Sequence, residues 1–178
     1  KTADNDKFVS LKKIDDLSKK VIKGKYIERY FFSWNNEWLW YNSKEMMKRK
    51  GAGPRKQECF EVEKKIILQE ISGDKIIATL DTQKFFAVDT VNVLYKLENN
   101  YDFEFILGLL NSKLINFWYG SQFKGIHVKL NELRIIPIQI TPLKSQKTIV
   151  NFVNQMLLLQ NRFHESKLAG GEKERLEQ

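Results

Sequence analysis

Lys44, Lys48, Arg49, Lys50, Arg55 and Lys56 place six cations within thirteen residues, in the run KEMMKRKGAGPRKQ. Gly51, Gly53 and Pro54 rule out a continuous helix there and predict a basic, mobile loop over Lys44–Gln57. Such a loop can follow a phosphate backbone and release the counterions that it displaces. Lys44, Lys48, Lys50 and Lys56 suit phosphates, while the guanidiniums of Arg49 and Arg55 can also fork onto guanine O6 and N7 in a major groove. A second loop, Gly120 to Gly125 and the residues after it, offers Gln122, Lys124, His127 and Lys129, side chains suited to base edges and phosphates. The plainer reading of both loops is a solvated polar connection.

Signals for catalysis are sparse. The chain has no GxGxxG, Walker loop, HExxH or GxSxG. His164 sits among polar residues of a helical stretch and reads as solvated. Cys59 is the sole cysteine, which excludes an internal disulfide and a Cys-based zinc site, and it reads as a small buried side chain. Glu63-x-Lys65 mimics the acid-x-Lys half of metal-dependent nucleases, in which carboxylates hold Mg²⁺ and a lysine polarises water. Charged residues flanking a strand explain it more simply. Trp34, Trp38 and Trp40 could stack on bases, but their alternation with polar residues points to a core.

Charge singles out the same region. The net charge is +8, and residues 1–60 hold 15 Lys/Arg against 8 Asp/Glu, whereas residues 61–143 hold 9 against 10. An excess confined to one third favours a surface for a polyanion over a general aid to solubility. With 178 residues, 42% of them hydrophobic, the chain can build a real core. The first residue is Lys1, which reads as a piece of a longer protein, and the lack of a signal pattern points to the cytoplasm.

Several elements must position these loops. Ser10 is placed to cap a helix carrying Leu11, Ile14, Leu17 and Val21 inward and ending at Gly24. Tyr26–Trp34 and Trp38–Tyr41 read as a hairpin turned at Asn35-Asn36-Glu37. Strands are expected over 65–72, 75–81, 85–87 and 90–97, with a tight turn at Gly73-Asp74. Residues 105–119 form the most apolar long run, too short and polar to span a membrane. They read as one helix with Phe105, Ile106, Leu109, Leu110, Leu114, Phe117 and Trp118 on the sheet side and Asn111, Ser112, Lys113 and Asn116 opposite. Short extended pieces follow over 126–130 and 133–140. A last helix from about Leu143 to Lys167 carries Ile149, Phe152, Met156, Leu159 and Phe163 at coiled-coil spacing. The fold class is therefore α+β: a small β-rich body packed on a central helix, then a long coiled-coil-like helix. The divisions are an arm over 1–24, a recognition body over 25–142, a helix over 143–168 and a flexible tail over 169–178.

The pieces come in a telling order: Lys23-Gly-Lys-Tyr-Ile-Glu-Arg-Tyr30, Trp38-Leu-Trp-Tyr41, Lys65-Ile-Ile-Leu-Gln-Glu-Ile71, Ala78-Thr-Leu-Asp81 and Val91-Asn-Val-Leu94. Leu109-Leu-Asn-Ser-Lys-Leu-Ile115 and Ile136-Pro-Ile138 follow, shortly before Gln146. Over residues 20–165 this resembles the TaqI-like C-terminal specificity domain of adenine-specific DNA methyltransferases and fused methyltransferase–endonucleases. That family is akin to the target recognition domains of type I restriction specificity subunits. The resemblance implies a domain that reads double-stranded DNA through loops, beside a separate domain that flips and methylates adenine. It implies no cofactor in this fragment, with S-adenosylmethionine, and Mg²⁺ for a fused endonuclease, used by catalytic domains of the same chain or complex. Those domains would carry an Asn/Asp-Pro-Pro-Tyr/Phe motif; the three prolines here are never adjacent, so this fragment transfers no methyl group by itself. No membrane partner is implied. The rival readings are an assembly module working through the 143–167 helix, and a nuclease centred on Glu63 and Lys65.

Overall fold

The computed structural model describes residues 5–48, 53–88, 90–97 and 101–176. Strands are packed against helices in an α+β arrangement. The N-terminal segment departs from the expected helix over 10–24. After a helical turn, α1 (Asn5–Phe8), the chain forms strands β1 (Val9–Ser10) and β2 (Ser18–Ile22). Local hydrogen bonds explain the difference. The Ser18 hydroxyl accepts from the Ile14 and Asp15 N–H groups at 3.0 and 3.2 Å, and Asp15 accepts from the Leu17 N–H at 2.9 Å. Side chains that cap nearby backbone in this way outcompete a helix. Val21 and Ile22, which point to opposite faces of β2, are buried in two different clusters, and Leu11, Ile14 and Leu17 stay exposed. Gly24 opens a 3-10 turn (Gly24–Tyr26) rather than ending a helix.

The expected aromatic hairpin is also rearranged. Strands β3 (Ile27–Glu28) and β4 (Phe31–Phe32) pair with each other across a turn in which Tyr30 has φ of 65°. Strand β5 (Trp38–Trp40) does not join them. It lies antiparallel between β1 and β2, with Leu39 opposite both Val9 and Lys19. Helix α2 (Ser43–Met47) follows, then a 3-10 turn (Gln57–Cys59), so the basic segment is not loop throughout.

The β-branched region forms the expected run of strands, with one exception. Strands β6 (Lys65–Gln69), β7 (Ala78–Asp81) and β9 (Val91–Leu94) form an antiparallel sheet in the order β7-β6-β9, with Ile67 opposite Thr79 and Val93. Gly73 takes a positive φ of +73°, but it lies in a longer connection over 70–77 rather than in the expected tight turn. The exception is β8 (Phe86–Ala87), which leaves this sheet and pairs in parallel with β2, giving the other sheet the order β1-β5-β2-β8. Ile22, Ile27, Ile67, Phe85 and Val91 pack between the sheets.

The apolar run forms two helices, α3 (Phe103–Asn111) and α4 (Lys113–Gln122). Ser112 breaks it at ψ of 152°, and its hydroxyl accepts from the Ile115 N–H at 3.1 Å, capping α4. The break rotates the second half. Leu114 and Phe117, expected on the sheet side, are 75% and 78% exposed, and Asn111 and Asn116, expected in solvent, are buried. Both asparagines act on the open edge next to β7. Asn111 accepts from the Ala78 N–H at 3.1 Å and donates to the Ala78 carbonyl at 2.9 Å, while Asn116 accepts from the Ile76 N–H at 2.7 Å. Their amides stand in for the missing neighbouring strand, satisfying backbone groups that would otherwise be orphaned.

After the short helix α5 (Leu130–Leu133), residues 134–142 are irregular rather than a strand, with Pro137 and Pro142 outside any sheet. Helix α6 (Leu143–Leu176) packs Ile149, Val150, Val153 and Leu157 into the core shared with α3. Gly108 permits this approach, because a Cβ there would meet Ile149 and Val153 methyls at 2.8 Å. Only Ile149 of the coiled-coil-like seam packs on the body; Phe152, Met156, Leu159 and Phe163 are exposed. His164 is not a solvated residue either. Its ring stacks on Phe31 at 3.6 Å between centroids, and Nε2 lies 3.4 Å from Glu28 Oε2. Among the described residues, no helix is long and apolar enough to cross a membrane.

Candidate nucleic-acid interface

The first basic segment is held at one end by the buried Met46 and at the other by the half-buried Tyr41. Asn42 caps α2 by accepting from the Glu45 N–H at 3.2 Å, and Met46 anchors the helix among Phe8, Val21, Leu39, Phe60 and Phe86. Lys44 and Lys48 therefore project from a fixed turn. Lys48 is engaged locally by Glu45 at 2.6 Å, and this contact holds the Glu45 carboxyl below its usual range. Farther along, the Tyr41 hydroxyl donates to the Arg55 carbonyl at 2.5 Å, while its ring meets Phe86 edge-on at 5.1 Å. Tyr41 thus fixes the backbone that presents Arg55 and Lys56, both exposed. Arg49 and Lys50 lie outside the described residues.

The second loop is zipped onto the β6–β7 connection. The Ile126 carbonyl accepts from the Ser72 and Gly73 N–H groups at 3.1 and 3.2 Å. His127 bridges to Ile71, and the Val128 N–H donates to the Glu70 carbonyl at 2.6 Å. Lys124 Nζ donates to the Gly120 carbonyl at 2.7 Å, and Gln122 bonds Ser121. At Lys129 the backbone N–H donates to Glu132 Oε2 at 3.2 Å, and Nζ sits 3.4 Å from Oε1. Glu132 also accepts from the buried Tyr119 hydroxyl at 2.5 Å. Burial, reinforced by this carboxylate, drives the Tyr119 phenol far above its usual range, and the bond from Tyr119 in turn lowers the Glu132 carboxyl.

The two loops meet at one place. Arg55 and His127 line a single cavity of about 530 Å³, floored by Leu39, Met46 and Phe60. Glu70 lines it as well, with Oε1 3.5 Å from His127 Nδ1. Lys44, Lys48, Lys56, Gln122, Lys124 and Lys129 do not line this cavity. Among the described residues, Lys44, Arg55 and Lys56 have no ion-pair partner, whereas Lys48, Lys129 and His127 each face a carboxylate. Of the two loops, the first thus keeps more unpaired cations among the described residues, Lys44, Arg55 and Lys56 against Lys124 in the second. Tyr41, which holds Arg55, and Glu70, which faces His127, carried no signal in the sequence: their partners lie 14 and 57 positions away.

Other candidates resolve into structure. Lys65, half of the nuclease-like pattern, is fully buried; Nζ lies 2.5 Å from Asp81 and donates to the Phe60 carbonyl at 2.8 Å. A sequestered ammonium of this kind cannot polarise water at an open site. The tryptophans serve the first sheet. Trp34 Nε1 donates to the Glu37 carbonyl and Trp40 Nε1 to Asp15, each at 2.8 Å, and Trp34 meets Trp38 edge-on at 5.2 Å. Cys59 is a free, half-buried thiol.

No curated protein matches the chain. The family model of the TaqI-like C-terminal specificity domain matches residues 19–138, from β2 to the segment before α6. The match spans more than half of the chain and includes both basic loops. The chain belongs to the family of TaqI-like C-terminal specificity domains, the DNA-specificity domains of restriction–modification proteins.

Proposed function

We propose that this domain reads a specific sequence in double-stranded DNA for an adenine-N6 methyltransferase, alone or fused to an endonuclease. The observation that carries the reading is Arg55: its backbone carbonyl is held by Tyr41, its side chain has no acidic partner among the described residues, and it lines the cleft together with His127. A guanidinium left unpaired on a backbone held in this way can fork onto a base edge or grip a phosphate. Lys44, Lys48, Lys50 and Lys56 hold phosphates; Arg49, Arg55, Gln122, Lys124, His127 and Lys129 make the contacts at base edges and the adjoining backbone. S-adenosylmethionine, and Mg²⁺ where an endonuclease is fused, serve catalytic domains of the same parent chain or complex. The setting is the cytoplasm.

Salt titration tests the reading. With about six phosphates neutralised, the logarithm of the association constant should fall against log salt with a slope near −5. Arg55→Gln with Lys56→Gln, both at exposed positions, should reduce the magnitude of that slope by about 2. A slope near zero, or no duplex binding at low salt, removes the proposal.

A second reading is favoured by one observation, the exposed stripe of Phe152, Met156, Leu159 and Phe163 on α6. Apolar residues at alternating spacings of three and four on the outer face of a helix suit a second helix. Helix-mediated assembly would add to DNA reading rather than replace it. Sedimentation should show association of the chain that Phe152→Glu with Met156→Glu abolishes; a wild-type chain that stays monomeric excludes self-assembly.

A further inference from the structure

A second cavity, of about 610 Å³, shares no lining residue with the Arg55–His127 cleft. Three connections that are distant in sequence converge on it: the β3–β4 turn with Arg29, the β6–β7 turn with Lys75, and the start of α4 with Lys113. Among the described residues none of these three cations has an ion-pair partner. Phe117, 78% exposed, forms one wall. The carboxylates of Glu28 and Asp74 also reach the cavity, but Glu28 lies against His164 at 3.4 Å, and the lining stays net positive.

The placement of Arg29 requires a strained backbone. Tyr30, the next residue, sits at φ of 65°, a region that large side chains rarely adopt, and its N–H donates to the Ala78 carbonyl at 3.1 Å. Phe117 is likewise held in the open by the break at Ser112, which turns Ile115, Asn116 and Tyr119 inward. A bare aromatic face beside unpaired cations is the pairing of groups that proteins use to hold single-stranded nucleic acid: ring against base, ammonium or guanidinium against phosphate. The cavity has the volume of a small-molecule site and is far too small for a duplex. An apolar protein segment seated there would bury three cations without partners, which is strongly unfavourable.

We propose that this cavity receives one unstacked nucleotide of a DNA strand, with its base on Phe117 and its phosphate among Arg29, Lys75 and Lys113. The site is separate from the cleft assigned to duplex reading and does not depend on it.

Fluorescence anisotropy at low salt tests this with two labelled probes, a short oligothymidylate and an abasic deoxyribose-phosphate strand of the same length. The wild-type chain should bind the base-containing strand about 10-fold more tightly. Phe117→Ala should erase that preference and Phe117→Trp should keep it, with thermal melting unchanged because the side chain is exposed. Arg29→Gln and Lys113→Gln should weaken binding of both strands. Arg55→Gln should leave the base-dependent difference intact, which keeps a failure of the duplex cleft apart from a failure of this site. Equal binding of the two strands overturns the proposal, as does a Phe117→Ala variant that retains the preference. Binding of neither strand overturns it as well.

Discussion

Asp81→Asn should lower the unfolding free energy by about 3–5 kcal/mol at pH 7, the range for breaking a buried ion pair from one side. Stabilities of small domains are only about 5–15 kcal/mol, so the variant stands close to unfolding. Asp81 and Lys65 are both inaccessible to solvent and lie 2.5 Å apart. The Asp81 carboxylate also accepts from the Gln83 N–H at 2.7 Å and the Phe85 N–H at 2.9 Å, ordering the turn that leads into β8. The asparagine amide is uncharged and brings a donor to a place where every neighbour is already a donor.

The penalty should depend on pH in a definite direction. Burial depresses the Lys65 ammonium below its ordinary 10.5, and Asp81 opposes that depression. Without the carboxylate the depression deepens. A base with a depressed folded-state pKa releases its proton while the unfolded chain still holds it, so stability rises with pH across the window below 10.5. The deficit of Asp81→Asn should therefore narrow from pH 7 toward pH 10, as measured by urea unfolding. Lys65→Met added to Asp81→Asn should recover part of the loss by removing the uncompensated charge. A deficit that stays constant with pH, or a double variant less stable than the single one, would show that the carboxylate serves the turn and not the ammonium.

Lys65 also shows why the site was harder to read than the fold. In sequence it is one lysine in Glu61-Val-Glu-Lys-Lys65, and only pairing with β7 reveals that it points inward at Asp81. Strands β6, β7 and β9 were legible because β-branched residues, and Gly73 in the connection between β6 and β7, declare themselves locally. The partners of β5 and β8 were not legible: Trp38–Trp40 lies between β1 and β2, and Phe86–Ala87 pairs in parallel with β2, choices made by long-range packing. The helix expected from Leu11, Ile14, Leu17 and Val21 had the right period, but Ser18 and Asp15 tie the backbone into turns that no periodicity count registers. Of the candidate interface, the exposed basic segment was visible as composition. The meeting of Arg55 with His127, and of Arg29 with Lys75 and Lys113, arises only when turns far apart in sequence are folded together.

The break at Ser112 separates two leucines that an unbroken helix would treat alike. Leu110 and Leu114 are four residues apart, the spacing of one helical face, and in a single helix over 105–119 both would pack on the sheet. In the structure Leu110 is 5% exposed within the main core and Leu114 is 75% exposed. Leu110→Ala should therefore cost about 2–5 kcal/mol as a core truncation. Leu114→Ala should stay within about 0.5 kcal/mol, as a surface change does. Denaturant unfolding of the two variants reads the difference directly, and similar losses at both positions would mean that α3 and α4 are one continuous helix. The same pair separates support from contact in DNA binding. Leu110 touches the core alone, so its truncation should weaken duplex binding only as far as it unfolds the domain, and affinity should return when the folded fraction is restored at lower temperature. A Leu110→Ala chain that is fully folded yet does not bind would move the recognition surface from the Arg55–His127 cleft to α3 itself.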